Sequence, residues 1–366
     1  MADDPARIGR WTVGPPLVDP TEPWARWSAE LDGAPVAFDV LGLTPSTRPE
    51  AALTFAGPLA LAAGADLAAE VTVDPRWRAG FTRALGVLAP WLGADRVPEL
   101  IGVSEAITPS VATGRTALCF TGGVDSFWTL LRGGHEPTDL LYVLGYDYGL
   151  GAEDLVAAQI GSVNAVAAAV GVRPLLVSTD ARRHHRATPA LWNFHHGAAL
   201  VAAAMVLSDH VDALVIPSSY PETGLIPWGT RPDLDHLWSI PEVLEVRHGQ
   251  AAKGRLDLIF DIAEEPLVHD HLAVCWERKG PGVNCGRCEK CVRTMVALDA
   301  AGVLGQVRTF PTVDLPAAIA ALAPVPAHDW PFWRQLAGDR TPRRLRLAAE
   351  ALLAASGADT SAGPGG

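Results

Sequence analysis

A chain of 366 residues, 49% hydrophobic and 19% charged, is long enough for a large core and more than one domain, and too apolar to be disordered. Its formal net charge of −12 excludes a broad nucleic-acid surface and leaves only a local basic groove open. The longest apolar stretch, GAALVAAAMVL over 197–207, falls short of the roughly 20 residues that cross a bilayer. The acidic start, Met1-Ala-Asp-Asp-Pro, does not read as a signal peptide, so a soluble cytoplasmic protein is expected.

Residues 1–110 set Trp11, Trp24 and Trp27 among prolines. The run Ala34–Leu41 (APVAFDVL) reads as a strand, Asp66–Val73 as another, and Arg76–Leu92 carries helical spacing. This predicts a small mixed α/β domain, with the tryptophans in its core rather than on a substrate wall. From Thr116 the pattern becomes regular. The runs Thr116–Phe120, Leu140–Tyr146, Pro174–Ser178 and Ala213–Pro217 are apolar without alternation, as in parallel strands covered on both faces. Helical stretches at Phe127–Leu131, Asp154–Val170 (stopped by Gly171) and Asn193–Ser208 separate them. The alternation predicts a doubly wound α/β sheet, whose ligands sit at the C-terminal strand ends.

Three groups fall at such ends. Thr121-Gly122-Gly123-Val124-Asp125-Ser126 follows the first of these strands and opens a helix. Its glycines allow a tight turn, and hydroxyls and free N–H groups at a helix start form an anion site, most commonly for phosphate. No lysine follows, so it is not the Gly-Lys-Ser/Thr nucleotide loop. Asp147 and Tyr148 follow the second strand, and Ser219, Tyr220 and Glu222 the fourth. A Pro/Trp-rich stretch then offers Arg231 and His236 toward an anionic or carbonyl group, and Lys253 and Arg255 toward phosphates. His184-His185 and His195-His196 are read as incidental, except that His195 or His196 can stand at the mouth of the site.

Cys275 precedes Cys285-Gly-Arg-Cys288-Glu-Lys-Cys291. Cysteines at i, i+3 and i+6 with a fourth upstream are the pattern of a closed four-thiolate zinc site, with Lys290 and Arg293 offsetting its charge. An iron–sulfur centre and a sulfur-transfer thiol stay open. Cys119 reads as a core residue. A helix over Val292–Ala301 and further Ala/Leu helices past Pro316 lead to a flexible tail over 357–366.

The glycine turn, Asp147-Tyr148-Gly149, Ser219-Tyr220-Pro221 and the four cysteines, in this order, resemble the 7-cyano-7-deazaguanine synthase family of the PP-loop ATP pyrophosphatases. The resemblance covers about 116 to 300. It implies a doubly wound sheet of the HUP/PP-loop type over 111–311, an added domain over 1–110, and C-terminal helices and tail over 312–366. It further implies an AMP-forming ligase that adenylates a carboxylate or amide oxygen and transfers ammonia or an amine. Asp125 and Ser126 would be catalytic, Thr121–Ser126 would hold pyrophosphate, and Asp147, Tyr148, Asn193, Ser219, Tyr220, Glu222 and Arg231 would line the substrate. Cofactors would be structural Zn²⁺ and Mg²⁺ with ATP as co-substrate; partners would be a small acid and ammonia or an amine, with a homodimer open. Leu150, Trp192 and Thr223 stand where the family has polar partners for its deazapurine, so a different substrate is expected. An acid–amine ligase acting on a protein or large amine, and a nucleotide-binding regulator without turnover, also stay open.

Overall fold

The computed structural model describes residues 9–147, 149–221, 224–249, 253–277 and 282–358. Its frame is one eight-stranded sheet. Five strands are parallel: β9 (Thr116–Cys119), β10 (Asp139–Leu144), β11 (Arg173–Ser178), β12 (Ala213–Pro217) and β13 (Glu245–Gly249). Their order across the sheet is β13-β12-β9-β10-β11. Counted from β11, this is third, second, first, fourth, fifth, so the order reverses between β9 and β12. Side chains alternate across β9 as a strand demands, Ala117 and Cys119 to one face, Leu118 and Phe120 to the other. All six residues of β10 are buried, because both faces are covered.

The sheet does not stop at β11. Antiparallel strands β4 (Ala34–Leu41), β3 (Trp24–Leu31) and β2 (Leu17–Asp19) continue it through pairs such as Val177↔Val40. Asp32-Gly33 joins β3 to β4, with φ of 48° and 78°, the two left-handed residues that a tight hairpin needs. Short strands β1 (Arg10–Thr12), β5 (Asp66–Ala68) and β7 (Leu100–Ile101) form a small parallel sheet, and β6 (Thr72–Val73) pairs with β8 (Ser104–Glu105). The run expected as one strand over Asp66–Val73 is thus two short strands.

Helices α1 (Glu50–Ala63), α2 (Pro75–Leu92) and α5 (Trp192–Met205) cover one face, around buried Trp27, Phe38, Phe55, Trp77 and Phe81. Helices α3 (Val124–Arg132), α4 (Glu153–Val170), α6 (Arg255–Ile262), α7 (Pro266–His271) and α8 (Glu289–Ala300) cover the other. The C-terminal helices α9 (Leu315–Ala320), α10 (Trp330–Leu336) and α11 (Arg343–Ala355) pack there too. At the N-terminal strand ends the buried carboxylate of Asp139 accepts from Arg115 at 2.9 Å and Arg173 at 2.5 Å, tying β9, β10 and β11 together. Charges at that end of the strands are therefore spent on structure, whereas at the opposite end Arg255 pairs with Asp125 at the glycine turn.

Candidate functional site: the glycine turn and the cations facing it

Phe120 still bonds into the sheet, its N–H donating to Leu141 O at 2.8 Å, before the chain turns at Thr121-Gly122-Gly123 into α3. Gly122 has φ +74°, and a Cβ there would stand 3.0 Å from the carbonyl oxygen of His271. Ala273 N–H donates to Gly122 O at 2.8 Å, so the segment after α7 braces the turn. Gly123 caps α3 without a side chain, which leaves the first-turn N–H groups pointing outward. The hydroxyl oxygens of Thr121 and Ser126 lie 3.6 and 4.0 Å from an ideal Cβ on Gly123, and so converge over this residue. Behind the turn is a cavity of about 210 Å³ lined by Gln159, Ser162, Asp270 and His271; Gln159 Nε2 donates to Thr121 O at 2.9 Å.

Asp125, in the first turn of α3, accepts through Oδ2 from Arg255 Nη2 at 2.8 Å, while its Oδ1 is buried with no partner among the described residues. Arg293 on α8 donates to Glu289 and Asp329, each at 3.2 Å. Both guanidinium groups lie against the ring of Phe332 on α10, at 5.4 Å for Arg255 and 4.1 Å for Arg293, within cation–π range. Burial, then the two guanidiniums, push the Lys290 ammonium below its usual range, with Asp125 and Asp147 pulling the other way. Burial raises the Tyr220 phenol, which senses Arg255, Arg293 and Asp125. Burial, with Asp329 adding to it, pushes the Glu289 carboxyl up to about 7, although Arg293 and the Trp333 indole N–H, which donates to it at 2.9 Å, oppose the shift.

The structure therefore brings Tyr220 to Phe332, 6.1 Å between ring centroids, beside the Arg255–Asp125 pair at the turn, and adds Arg293, with Lys290 three residues before it on α8; Asp147 is exposed beyond the end of β10. Other expected residues are placed differently. Arg231 is committed within its own loop, donating to Asp233 at 2.8 Å and Ile226 O at 3.2 Å with its guanidinium over Trp91. The carbonyl of Asn193 accepts from Gly229 N–H at 2.8 Å and thereby seats the Trp228 loop on α5. Ser219 is half-buried beside Tyr220. His236 bonds Pro232 O at 3.0 Å, and Lys253 pairs with Asp261 at 2.7 Å. Tyr148 and Glu222 lie outside the described residues. His195 is not at the mouth: it is fully buried, its Nε2 bonded to Phe55 O at 2.7 Å and its Nδ1 to His185 Nε2 at 2.6 Å. Since the carbonyl only accepts, His195 carries its proton on Nε2 and receives one from His185.

All four clustered cysteines are buried, with sulfurs within 4.8 Å of one another, a set that could hold a metal ion. Amide N–H groups of Arg287 and Cys288 point at Cys285 Sγ at 3.5 and 3.3 Å, and that of Cys291 at Cys288 Sγ at 3.5 Å. The Cys291 thiol, by donating to Cys288, pulls the latter down to about 5, while Cys291 itself is pushed up. Four buried sulfurs around one centre, three amide N–H groups pointing at two of them, fit a metal ion. His269 and His271 are used elsewhere, on Ala263 O and Ser162. Asn284 Oδ1 accepts from Val274 and Cys275 N–H at 2.8 and 3.2 Å, and its Nδ2 donates to Leu272 O at 2.8 Å. The cysteine cluster and the brace on Gly122 therefore share the segment Leu272–Cys275.

No protein-family model, curated protein or solved structure matches the chain. Among the described residues no helix is long and apolar enough to cross a membrane.

Proposed function

We propose that the chain is an AMP-forming, ATP-dependent ligase of the PP-loop type, acting on a small acid or amide with ammonia or an amine as the second substrate. The carrying observation is the braced turn at Gly122, with two hydroxyls over Gly123, at the head of α3 and at the reversal of strand order. That is where an open parallel sheet binds ligands. In the proposed reaction a carboxylate or amide oxygen attacks the α-phosphorus of ATP and the bond to pyrophosphate breaks. On an activated carboxylate, ammonia or the amine then attacks the acyl carbon, AMP leaves with the bonding pair and the nitrogen loses a proton to solvent; an activated amide instead loses its N–H proton and AMP to give a nitrile. The N–H groups of Gly123 to Ser126 and the hydroxyls of Thr121 and Ser126 hold the departing pyrophosphate as charge moves onto it. Asp125, with a buried oxygen awaiting a partner, would hold Mg²⁺, which would neutralise phosphate charge. The four cysteines would hold zinc, fixing Leu272–Cys275 without taking part in the chemistry.

The substrate differs from a deazapurine. Trp192 packs its ring against Tyr146 at 5.0 Å between centroids and under the Arg182 guanidinium at 4.7 Å, and so offers at most one indole N–H donor where the family has a polar side chain. Product analysis by ³¹P NMR with ATP, Mg²⁺, ammonium and a panel of acids is the test. AMP and pyrophosphate are expected with some acid and at most trace turnover with 7-carboxy-7-deazaguanine; ADP and phosphate would sink the reading.

A further inference from the structure

We infer that Arg255, Lys290 and Arg293 form a second anion site, facing the glycine turn from α6 and α8, for the polyphosphate of a nucleotide, and that Arg255 enters it by releasing Asp125. The ligand named here rests on the ligase reading above. The site itself rests on what is left over after pairing. Arg255 meets Asp125, and Arg293 shares Glu289 and Asp329 at 3.2 Å, but among the described residues Lys290, three residues before Arg293 on α8, has no carboxylate within 4.0 Å. Arg255 and Arg293 are 8% and 7% exposed, yet the Nε–H of each is buried without an acceptor. A buried N–H donor left without an acceptor is unfavourable even on a guanidinium that is otherwise paired. That penalty falls when an oxyanion reaches these donors. Phe332 holds the two guanidinium groups on one ring, so the donors are positioned before the ligand arrives.

The pair between Arg255 and Asp125 gives the site its order of events. In the free chain Arg255 occupies the carboxylate oxygen that a cation would otherwise take. A polyphosphate arriving with Mg²⁺ supplies a better anion for Arg255 and a better cation for Asp125, so the two exchange partners. Arginine suits this exchange because its fork can bind phosphate oxygens in pairs.

The experiment titrates the full chain with pyrophosphate and with Mg·ATP by calorimetry, and with Mn²⁺ alone by electron paramagnetic resonance. Arg255→Met and Lys290→Met are compared with Arg344→Gln, a surface control, and folding is checked by circular dichroism. Both Met variants should bind pyrophosphate at least tenfold more weakly, and the control should match the wild type. Arg255→Met should also bind Mn²⁺ alone more tightly than the wild type, since Asp125 is freed. Lys290→Met removes no ion-pair partner, so it reports on the site even if Arg255→Met fails to fold. Wild-type affinity in a folded Lys290→Met protein would overturn the inference and leave the ligase reading standing. A wild type that binds neither ligand would overturn both. A variant that binds pyrophosphate normally but loses acid-dependent turnover would reassign the site to the substrate carboxylate and overturn the polyphosphate assignment.

Discussion

At Gly122 two constraints act in the same direction. Its φ of +74° is disfavoured for any residue with a Cβ, and the His271 carbonyl leaves only 3.0 Å for that atom. Gly122→Ala should therefore cost about 1–2 kcal/mol in backbone strain alone, and it should displace the brace at Ala273. A lower melting temperature with at least tenfold weaker ATP binding by calorimetry is expected; unchanged affinity would mean that the turn does not touch the ligand. The buried pair His185–His195 sets a pH dependence. Burial, then Arg182 and His184, push His185 down to about 4 from an ordinary 6.5, and His195 moves the same way. The unfolded chain therefore binds protons that the folded pair refuses. Stability from this source is complete above pH 6.5 and is lost as the pH falls toward 4. Urea midpoints measured from pH 7 to pH 4 should fall, and His185→Gln should flatten the fall. This pair could not be read from the sequence, because each histidine finds its partner in the other doublet. The turn could be read, because its six residues are consecutive. Arg255 meets Asp125, and shares the Phe332 ring with Arg293, only through the fold, while the turn that pairs Arg231 with Asp233 is not visible in the residue order.

The elements that were legible are those whose pattern has a single explanation. The parallel strands β9 to β12 are apolar between their ends because both faces are covered, and α4 ends at Gly171, which takes the left-handed C-cap. Helix α1 was missed because it is buried all round and holds Gly57 and Pro58, so it shows no amphipathic period. Strand β13 was missed because Glu245, Arg247 and His248 read as polar, although it pairs along its whole length with β12. The cysteine knuckle was legible from spacing, and its role as an element is open to test. Cys288 both caps α8 and stands in the cluster, so Cys288→Ser removes one of the four sulfurs that would hold a metal while its hydroxyl can still cap the helix. Loss of bound metal and several kcal/mol of stability are expected, read by metal analysis and thermal melting. Nucleotide affinity should fall with them, because Asn284 joins the knuckle to the segment that braces Gly122. A metal-free Cys288→Ser protein with a native melt would refute this role.

At the scale of the whole molecule, the first hundred residues read in the sequence as a unit of their own, since no residue pattern announces which edge of a sheet a hairpin will join. In the structure β4 lies on β11, and Thr179 Oγ1 donates to Ala37 O at 2.6 Å. Helix α1 packs on α5, and its Phe55 carbonyl receives the proton of His195. Trp27, Phe38 and Phe55, all from this region, are fully buried in the same cluster as Ala199, Leu214 and Val246 of the parallel sheet and its helix. Removing one large buried aromatic side chain typically costs about 3–5 kcal/mol, against a total stability of about 5–15 kcal/mol for a folded domain. Losing three at once is comparable with that whole total, and the β11 edge laid bare would associate with others. A fragment spanning 111–366 should therefore aggregate or melt without a cooperative transition, whereas the full chain should unfold as one unit. Size-exclusion chromatography and calorimetric melting of both proteins make the comparison. A monodisperse fragment that melts cooperatively and still binds ATP would show that the N-terminal strands decorate the sheet rather than complete it.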